Sequence, residues 1–489
     1  MEETDVSPND TPLGRTTDWA GLALAGLLSA VGYAALAFIP TSNRASHVLF
    51  YLTLMAILFG IYGWVLAIAG RSESPAASRR VFLVAFGFSV LFRLLMLPVG
   101  LPTSAVLQAA GDDLAGRGAA VEPFLLYDND VWRYLWDGHV LAEGTNPYSV
   151  TPADVREDTE LGPALLANAP WPDVLDNVSY QNYTSVYPPL TQYVFATLAI
   201  AAPGSVLAAK AVLITLDLLL IALLWAALRS AGRSPLWSLA YAWNPAVVKE
   251  LTGSAHPDIV MMLPMTLAVI LVARSRSAFA AVALGAATLA KVTPILLLPL
   301  FVRRRAGLAL ALFAGALLTG ILPLWSGLAD WWDGIRRFAA GWTFNSGPWS
   351  SMAWVAERLG SNDPGLWANL LALAAVGIIA AIAWRSTRTG DAGSFHSAAF
   401  VTLAALVVFR PAVMPWYTLW PLPLAVLSGN RSWLVFTGLA QLSYLSFVEP
   451  AWPTWWKWIE YGIFFLLLWT QRSHLTDGTS TPRLGSYWR

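Results

Sequence analysis

Residues 46–70 read SHVLFYLTLMAILFGIYGWVLAIAG and contain no Asp, Glu, Lys or Arg. A helix needs about 20 apolar residues to cross the ~30 Å hydrocarbon layer of a bilayer, where every backbone N–H must find its partner within the segment. Comparable apolar runs recur from Trp19 to Trp469. The sequence therefore predicts an all-α, polytopic transmembrane protein with about 12–14 spans.

The composition agrees with this fold class and excludes several functions. Of 489 residues, 56% are hydrophobic and 12% are charged, whereas soluble domains carry about 25% charged residues. The net charge is zero and no long basic block occurs, so nucleic acid is not expected as a partner. The lack of cysteine excludes thiolate chemistry. Phosphate-binding glycine loops and zinc-hydrolase spacings are also missing, so no cofactor or metal site is predicted, and a need for a divalent metal stays open.

The arginines that follow the quoted run set the predicted orientation. Arg71, Arg79 and Arg80 form a positive loop, and such loops face the cytoplasm. The next span, 81–100, then runs outward and leads into the acidic loop 101–186. This large loop is therefore predicted to lie on the external side of the membrane.

Later positive loops conflict with a strict alternation of spans. The arginines at 274–276 and at 303–305 cannot both be cytoplasmic if every apolar run crosses the membrane once. We resolve the conflict by predicting that 187–203 and 278–300 are re-entrant or broken helices. Lys291 interrupts the second of these runs, and an irregular backbone at membrane depth is tolerated only inside protein or beside a cavity.

The chain divides into four predicted parts. They are a cytoplasmic N-terminus with an appended two-span unit (1–80), a catalytic transmembrane module that includes loop 101–186 (81–325), a variable C-terminal transmembrane module with an external loop at 326–364 (326–471), and a polar tail (472–489).

The large loop contains the motif YDNDVWRYLWDGH at residues 127–139. Residues 131–143 are predicted to form a short helix closed by Gly144, and its aromatic face suits the membrane interface. In an extended approach to that helix, Asp128 and Asp130 point the same way, and close carboxylates raise each other's proton affinity, as a general base requires. The alternative is that Asp130 only caps the helix and Asp128 is solvated.

Further candidates lie at the ends of later spans. Tyr187 begins the span after the loop, where the following prolines also fit a purely structural helix start. His256 and Asp258 stand at the predicted external start of a span, and ionisable groups at this position can face a cavity.

Two cations could neutralise a phosphate. Lys291 lies inside an apolar run, where it is either functional or extends its ammonium to the membrane surface. Arg410 precedes a proline-rich and aromatic segment near the external face. Its guanidinium could bind a phosphate or pair with an acidic residue of the loop.

Taken in order, these motifs resemble the GT-C superfamily of integral membrane glycosyltransferases, especially bacterial polyprenyl-phosphate-mannose-dependent mannosyltransferases. The resemblance covers roughly residues 80–300. It is carried by the acidic pair of the loop, Asp130-Val131-Trp132-Arg133-Tyr134-Leu135-Trp136-Asp137-Gly138, Gly144-x-Asn146-Pro147-Tyr148, Tyr187-Pro188-Pro189 and His256-Pro257-Asp258. The chain departs from many members of the superfamily by having two spans ahead of the span that leads to the loop.

The resemblance implies a polyprenyl-phosphate sugar donor, a lipid or glycan acceptor and an active site at the external membrane face. It identifies Asp130 as the base, with Asp128 as its acidic neighbour, and implies transfer with inversion. Arg133, His256, Lys291 or Arg410 would then neutralise the phosphate. Such an enzyme would be an integral protein of a bacterial inner or plasma membrane, with its site facing the periplasm or exterior.

The predicted function is thus transfer of a hexose, with mannose favoured by the resemblance alone. The main alternative is a polytopic lipid or glycan transporter or flippase, which also combines many spans with broken helices and intramembrane charges. A scaffold protein of envelope assembly is the third hypothesis. The enzyme hypothesis requires Asp128, Asp130, His256 and Arg410 to line one outward-facing cavity.

Overall fold

In a computed structural model, the chain is described for residues 19–39, 44–71, 79–99, 126–301, 306–387, 392–448, 451 and 454–476. These residues are mostly helical and form no β-strand, which confirms the predicted all-α class. The predicted start of the external loop at 101–125, the arginines at 303–305 and the polar tail beyond residue 476 lie outside the described residues.

The first half of the chain carries the helices α1 (Trp19–Ala37), α2 (Ala45–Arg71), α3 (Arg79–Leu95), α4 (Val131–Ala142), α5 (Pro152–Glu157), α6 (Leu161–Leu165), α7 (Trp171–Asp176), α8 (Pro189–Ala201), α9 (Val206–Ser230), α10 (Leu239–Ala242) and α11 (Pro245–Val247). The second half carries α12 (Ile259–Ala273), α13 (Ser277–Ala290), α14 (Leu298–Phe301), α15 (Ala306–Ile321), α16 (Leu328–Gly341), α17 (Gly347–Arg358), α18 (Pro364–Ser386), α19 (Ala392–Val408), α20 (Leu422–Ser428), α21 (Arg431–Leu439) and α22 (Trp456–Thr476).

Several of these helices are long and apolar enough to cross a membrane. In the described residues there are five such segments, namely Trp19–Ala37, Ala45–Arg71, Val206–Ser230, Ala306–Arg337 and Pro364–Ser386. Four further apolar helices, α8, α12, α13 and α19, are shorter, with 10–17 residues each. The protein is therefore a polytopic membrane protein, and several other runs predicted to be spans are divided into shorter helical pieces.

The predicted break near Lys291 is present. Helix α13 ends at Ala290, Lys291 is extended with φ −158° and ψ 134°, and a 3-10 helix follows over Thr293–Leu297. Pro294 lacks the N–H that would continue the α-helical hydrogen bonding. The apolar run at 236–250, which the sequence also predicts as a span, is not one continuous helix. The short helices α10 and α11 lead into a π-helix at Val248–Gly253, whose residues are all buried. Buried protein surroundings are where an irregular backbone is tolerated in a membrane protein.

Helix α4 confirms the predicted helix of the large loop but not its location. It spans Val131–Ala142 and is closed by Gly144 with φ +81°. On its predicted interfacial face, Leu135 and Trp136 are each 1% exposed and Trp132 is partly buried, so most of this face packs inside the protein and not against lipid. A Cβ at Gly138 would overlap the Phe195 carbonyl of α8, so glycine permits the close contact between α4 and α8.

The N-terminal helices pack against both later parts of the chain. The Tyr51 hydroxyl donates to Gln441 Oε1 at 2.7 Å, and the Tyr62 hydroxyl donates to the Ala240 carbonyl at 2.6 Å. Helix α2 is thus joined by buried hydrogen bonds to segments near residues 240 and 441. The division into an appended unit and two modules stays a prediction.

Candidate active site

One cavity of about 630 Å³ brings together all the residues that the sequence singled out. Its walls come from the segment before α4, the start of α8, the turn before α12, the break after α13 and the segment that follows α19. The predicted residues that line it are Asp128, Asp130, Arg133, Tyr187, His256, Asp258, Lys291 and Arg410. The four residues on which the enzyme hypothesis depended therefore share one cavity.

The acidic pair is held by an unusual backbone in front of α4. Tyr127 adopts φ +67°, a left-handed conformation that is uncommon for a residue with a side chain. The Asp130 amide donates to Asp128 Oδ1 at 2.8 Å. Asp130 occupies the N-cap position, but its side chain makes no capping hydrogen bond. The carboxylate of Asp130 is therefore available to the cavity, contrary to the alternative in which it only caps the helix.

His256 joins the acidic pair from a distant part of the chain. Its Nε2 atom lies 2.9 Å from Asp128 Oδ2 and 3.6 Å from Glu250 Oε2. The π-helix and the positive φ of Ala255, +59°, turn the chain so that the His256 amide donates to the Glu250 carbonyl at 3.1 Å. The ring stacks on Trp416 with centroids 3.9 Å apart. The imidazole is thus fixed between two carboxylates and an aromatic ring.

The two carboxyl groups of the pair differ in acidity. Burial, followed by the nearby charge of Asp128, raises the pKa of Asp130 to about 7. Burial would also raise the pKa of Asp128, but His256, with smaller contributions from Lys249 and the Asp130 amide, outweighs burial and holds that pKa below its usual value. Surroundings that separate two neighbouring pKa values give the groups different roles. Asp130 is suited to accept a proton near neutral pH, whereas Asp128 stays ionised.

A cationic group occupies another part of the cavity wall. Lys291 Nζ lies 2.5 Å from Asp258 Oδ1, and Trp420 Nε1 donates to the same oxygen at 2.6 Å. The Arg410 guanidinium lies over the rings of Tyr417 and Trp420, at 4.7 Å and 5.1 Å from their centroids. Within the described residues, no carboxylate lies within salt-bridge distance of Arg410. Its charge is therefore available to an anionic ligand.

Arg133 and Tyr187 line the cavity but have structural partners. Arg133 Nε lies 2.7 Å from Asp137 Oδ1, and its Nη2 donates to the Tyr183 carbonyl at 2.8 Å. The ring of Tyr187 packs edge-on against Tyr134 with centroids 5.2 Å apart. The charge of Arg133 is thus already paired, as that of Lys291 is by Asp258, which makes Arg410 the cation best placed for a phosphate.

The sequence did not identify some residues of the site. Trp416, Tyr417 and Trp420 position His256 and the two cations, and Glu250 supports His256. The aromatic run after Arg410 was the available signal. It could not be interpreted further, because membrane proteins carry many aromatic residues at span ends for other reasons.

Asp128, Asp130 and His256 also have the donor atoms that a metal ion would use. These atoms lie within 4.8 Å of one another, and two carboxylates with an imidazole suit several divalent cations. Metal binding would require the nitrogen of His256 to be free of its proton. The contact between His256 and Asp128 therefore competes with a cation for the same atoms.

Comparison with known proteins identifies similar chains. Residues 121–307 match the family described as alpha-(1->6)-mannopyranosyltransferase, N-terminal domain. This range contains every predicted site residue except Arg410. The chain is 24% identical over 383 residues to Alpha-(1->6)-mannopyranosyltransferase A of Mycobacterium tuberculosis (strain ATCC 25618 / H37Rv), and the match covers 69% of each chain. No solved structure matches the chain. The resemblance to membrane mannosyltransferases predicted from the motifs is confirmed, and the chain is a membrane glycosyltransferase.

Proposed function

We propose that the protein transfers a mannosyl residue from a polyprenyl-phosphate mannose to a hydroxyl group of a lipid or glycan acceptor, at the external face of the membrane. The observation that carries this proposal is the cavity itself. It places a carboxylate with a pKa of about 7 in the same space as Lys291 and Arg410. Transfer from a sugar phosphate needs both a base for the acceptor and positive charge for the leaving phosphate.

In the proposed reaction, Asp130 accepts the proton of the acceptor hydroxyl. The acceptor oxygen forms a bond to the anomeric carbon while the bond from that carbon to the phosphate oxygen breaks. The leaving polyprenyl phosphate keeps the electron pair, and Arg410 and Lys291 stabilise its charge. Attack on the face opposite the leaving group inverts the anomeric configuration. No covalent sugar–enzyme intermediate is required.

Substitution of the proposed base tests this assignment directly. Asp130→Asn keeps the size of the side chain and removes its ability to take a proton. We expect transfer from polyprenyl-phosphate mannose in proteoliposomes to fall by about 100-fold or more, the order of a lost general base. Asp173→Asn, at an exposed aspartate of the same loop, is the matched control and keeps its rate. Near-normal transfer by Asp130→Asn would remove Asp130 from the role of base.

The donor class is tested with the wild-type protein. Polyprenyl-phosphate mannose, polyprenyl-phosphate glucose and a nucleotide-activated mannose are offered with the same acceptor. We expect transfer from the polyprenyl-phosphate mannose alone. Transfer from the nucleotide sugar at a comparable rate would contradict the proposed donor.

The side of the membrane can be tested because the chain has no cysteine. Single substitutions Glu160→Cys in the large loop and Arg71→Cys at the end of α2 introduce one thiol each at exposed positions. In intact cells, a membrane-impermeant maleimide should label the first variant, and only disruption of the membrane should expose the second. The reverse labelling pattern would place the active site on the cytoplasmic side.

A further inference from the structure

An apolar groove, separate from the catalytic cavity, runs between α2 and residues 431–442, which comprise α21 and the start of the 3-10 helix that follows it. Its volume is about 680 Å³. Leu52 and Gly70 both line the groove, and a rise of about 1.5 Å per residue places them about 27 Å apart along α2. The groove is therefore almost as long as the ~30 Å hydrocarbon layer that α2 is long enough to cross.

Small residues of α2 leave the groove open to its surroundings. The two walls are in contact at Gly438, where a Cβ would lie 3.0 Å from the Phe59 ring. Further along α2, a Cβ at Gly63 or at Gly70 would meet no atom within 4 Å, and Ala67 between them is exposed. In a bilayer, such a depression is filled by an acyl chain or by side chains of another helix, because a void would deprive the lining atoms of their contacts.

Positive charge lies at one end of the groove. Among the described residues that line it, Arg431 alone carries a charge, and this side chain is exposed. Its guanidinium lies 5.6 Å from the centroid of the Trp237 ring, and within the described part of the chain no carboxylate is within salt-bridge distance of it. Arg71, directly after the groove residue Gly70, is also exposed and adds a second positive charge. This end is therefore complementary to an anion, which favours a charged lipid over a second helix as the occupant.

We propose that the groove binds an anionic diacyl phospholipid, with its phosphate at Arg431 and one acyl chain along α2. A guanidinium binds a phosphate through two parallel hydrogen bonds, and basic groups at the ends of clefts between transmembrane helices suit acidic headgroups. The sugar donor has its phosphate elsewhere, because the other end of α2 is the one near the catalytic cavity, where the centroids of the Tyr51 and Tyr127 rings lie 5.6 Å apart. The bound lipid is thus a structural component and not a substrate, and the proposal is independent of the proposed function.

Because the chain has no cysteine, a single introduced thiol can report on this site. Trp64→Cys places the thiol beside the groove, at an exposed position next to Gly63. Ile378→Cys on α18 places it at an exposed control position that does not line the groove. Each position lies seven residues before an exposed arginine near the end of its helix, Arg71 or Arg385, so the two are matched in depth and in nearby charge. The full-length variants are labelled with bimane and reconstituted in vesicles.

The vesicles contain dioleoylphosphatidylcholine, part of which is replaced by dibrominated phosphatidylglycerol or by dibrominated phosphatidylcholine. Bromine quenches a fluorophore only at short range, so quenching reports a lipid at the label. We expect brominated phosphatidylglycerol to reach half-maximal quenching of the Trp64→Cys label at about a tenfold lower mole fraction than at Ile378→Cys, the order of one charge-assisted contact. Brominated phosphatidylcholine should quench both labels alike. Arg431→Gln should raise the Trp64→Cys value to that of the control, and Arg385→Gln should leave it unchanged.

Gly63→Leu tests the shape of the groove without removing its charge. The leucine fills open space, so it should abolish the preference of the Trp64→Cys label for phosphatidylglycerol. This lipid should also raise the apparent melting temperature of the wild type but not of Gly63→Leu, because a ligand stabilises only a protein that binds it. Equal half-quenching fractions of the two brominated lipids at Trp64→Cys, or an unchanged value in Arg431→Gln, overturns the proposal. Displacement of the brominated phosphatidylglycerol by an equimolar amount of polyprenyl phosphate also overturns it, since the groove would then belong to the donor.

Discussion

The charge of Asp128 should set the pH at which the enzyme becomes active. Asp130 must be ionised to accept a proton, and its pKa of about 7 predicts that the rate rises with pH through a midpoint near 7. Asp128→Asn removes the neighbouring negative charge but keeps an oxygen that can accept the hydrogen bond from the Asp130 amide. Ionisation of Asp130 then becomes easier, and the midpoint should move to lower pH.

The size of this shift follows from the separation of the charges. Oxygen atoms of the two carboxyl groups lie within 4.8 Å of each other, and two unit charges at about this distance repel each other by about 3.5 kcal/mol at an effective dielectric constant of about 20. Part of this gain is lost again, because the raised pKa of His256 depends mainly on Asp128, and the imidazole beside Asp130 gives up part of its positive charge when Asp128 is neutral. Because one pH unit corresponds to about 1.4 kcal/mol, the midpoint should fall by about 1 to 2 pH units.

The assay measures kcat/KM for the acceptor from pH 5 to pH 9, in the same liposomes for each variant. Asp173→Asn provides the control for removal of a carboxylate from the large loop. Its midpoint should match that of the wild type, since the side chain is exposed to solvent. A midpoint that stays in place or rises in Asp128→Asn would refute the view that Asp128 tunes the base.

Three further outcomes are expected. Asp130→Asn should raise the free energy of unfolding, followed by tryptophan fluorescence, above pH 7 but not near pH 4. The pKa of this carboxyl is raised from 3.8 to about 7, so its ionisation opposes folding as the pH increases, and its removal should stabilise the fold by up to about 4 kcal/mol. Lys291→Gln should lower kcat by about 100-fold, with Lys291→Arg retaining more activity, if the ammonium stabilises the leaving phosphate. Glu250→Gln should destabilise the fold by about 3–5 kcal/mol, because it leaves the buried Lys249 without its ionic partner at 2.9 Å. In denaturation experiments, the double variant Glu250→Gln/Lys249→Met should be less destabilised than Glu250→Gln alone, because no unpaired charge then stays buried.

Much of the fold could be predicted from hydropathy and local motifs. Long apolar runs such as 46–70 predict spans, since the bilayer leaves no other partner for the backbone. The end of α13 before Lys291 was predictable, because a charge and a proline interrupt the same apolar run. Gly144 correctly marked the end of α4. These features depend on residues that are close in sequence.

The surroundings of α4 could not be predicted in the same way. An apolar face that contains Leu135 and Trp136 suits a membrane interface and a protein core equally well. Whether this face meets lipid or protein depends on α7 and α8, which pack against α4. Gly138 allows α8 to approach α4 closely, because it has no Cβ to overlap the Phe195 carbonyl. The pairing of Arg133 with Asp137 was visible as an i, i+4 spacing, but the additional contact with Tyr183 was not. The burial of α4 and the full set of partners of Arg133 therefore depend on tertiary contacts that the local sequence pattern does not specify.

The identity of the proposed base is the clearest example of this limit. An Asp-x-Asp sequence contains two equivalent carboxylates, and nothing in the motif says which one accepts a proton. The difference arises because His256 contacts Asp128 and lies between Glu250 and Trp416, which fixes its ring. Asp128 is thereby kept ionised, and its charge, together with burial, raises the proton affinity of Asp130. The residue that distinguishes the two aspartates thus lies in a turn before α12, far from the motif in sequence. The resemblance implied Asp130 as the base, but the physical reason for preferring it depends on a contact that exists only in the folded chain.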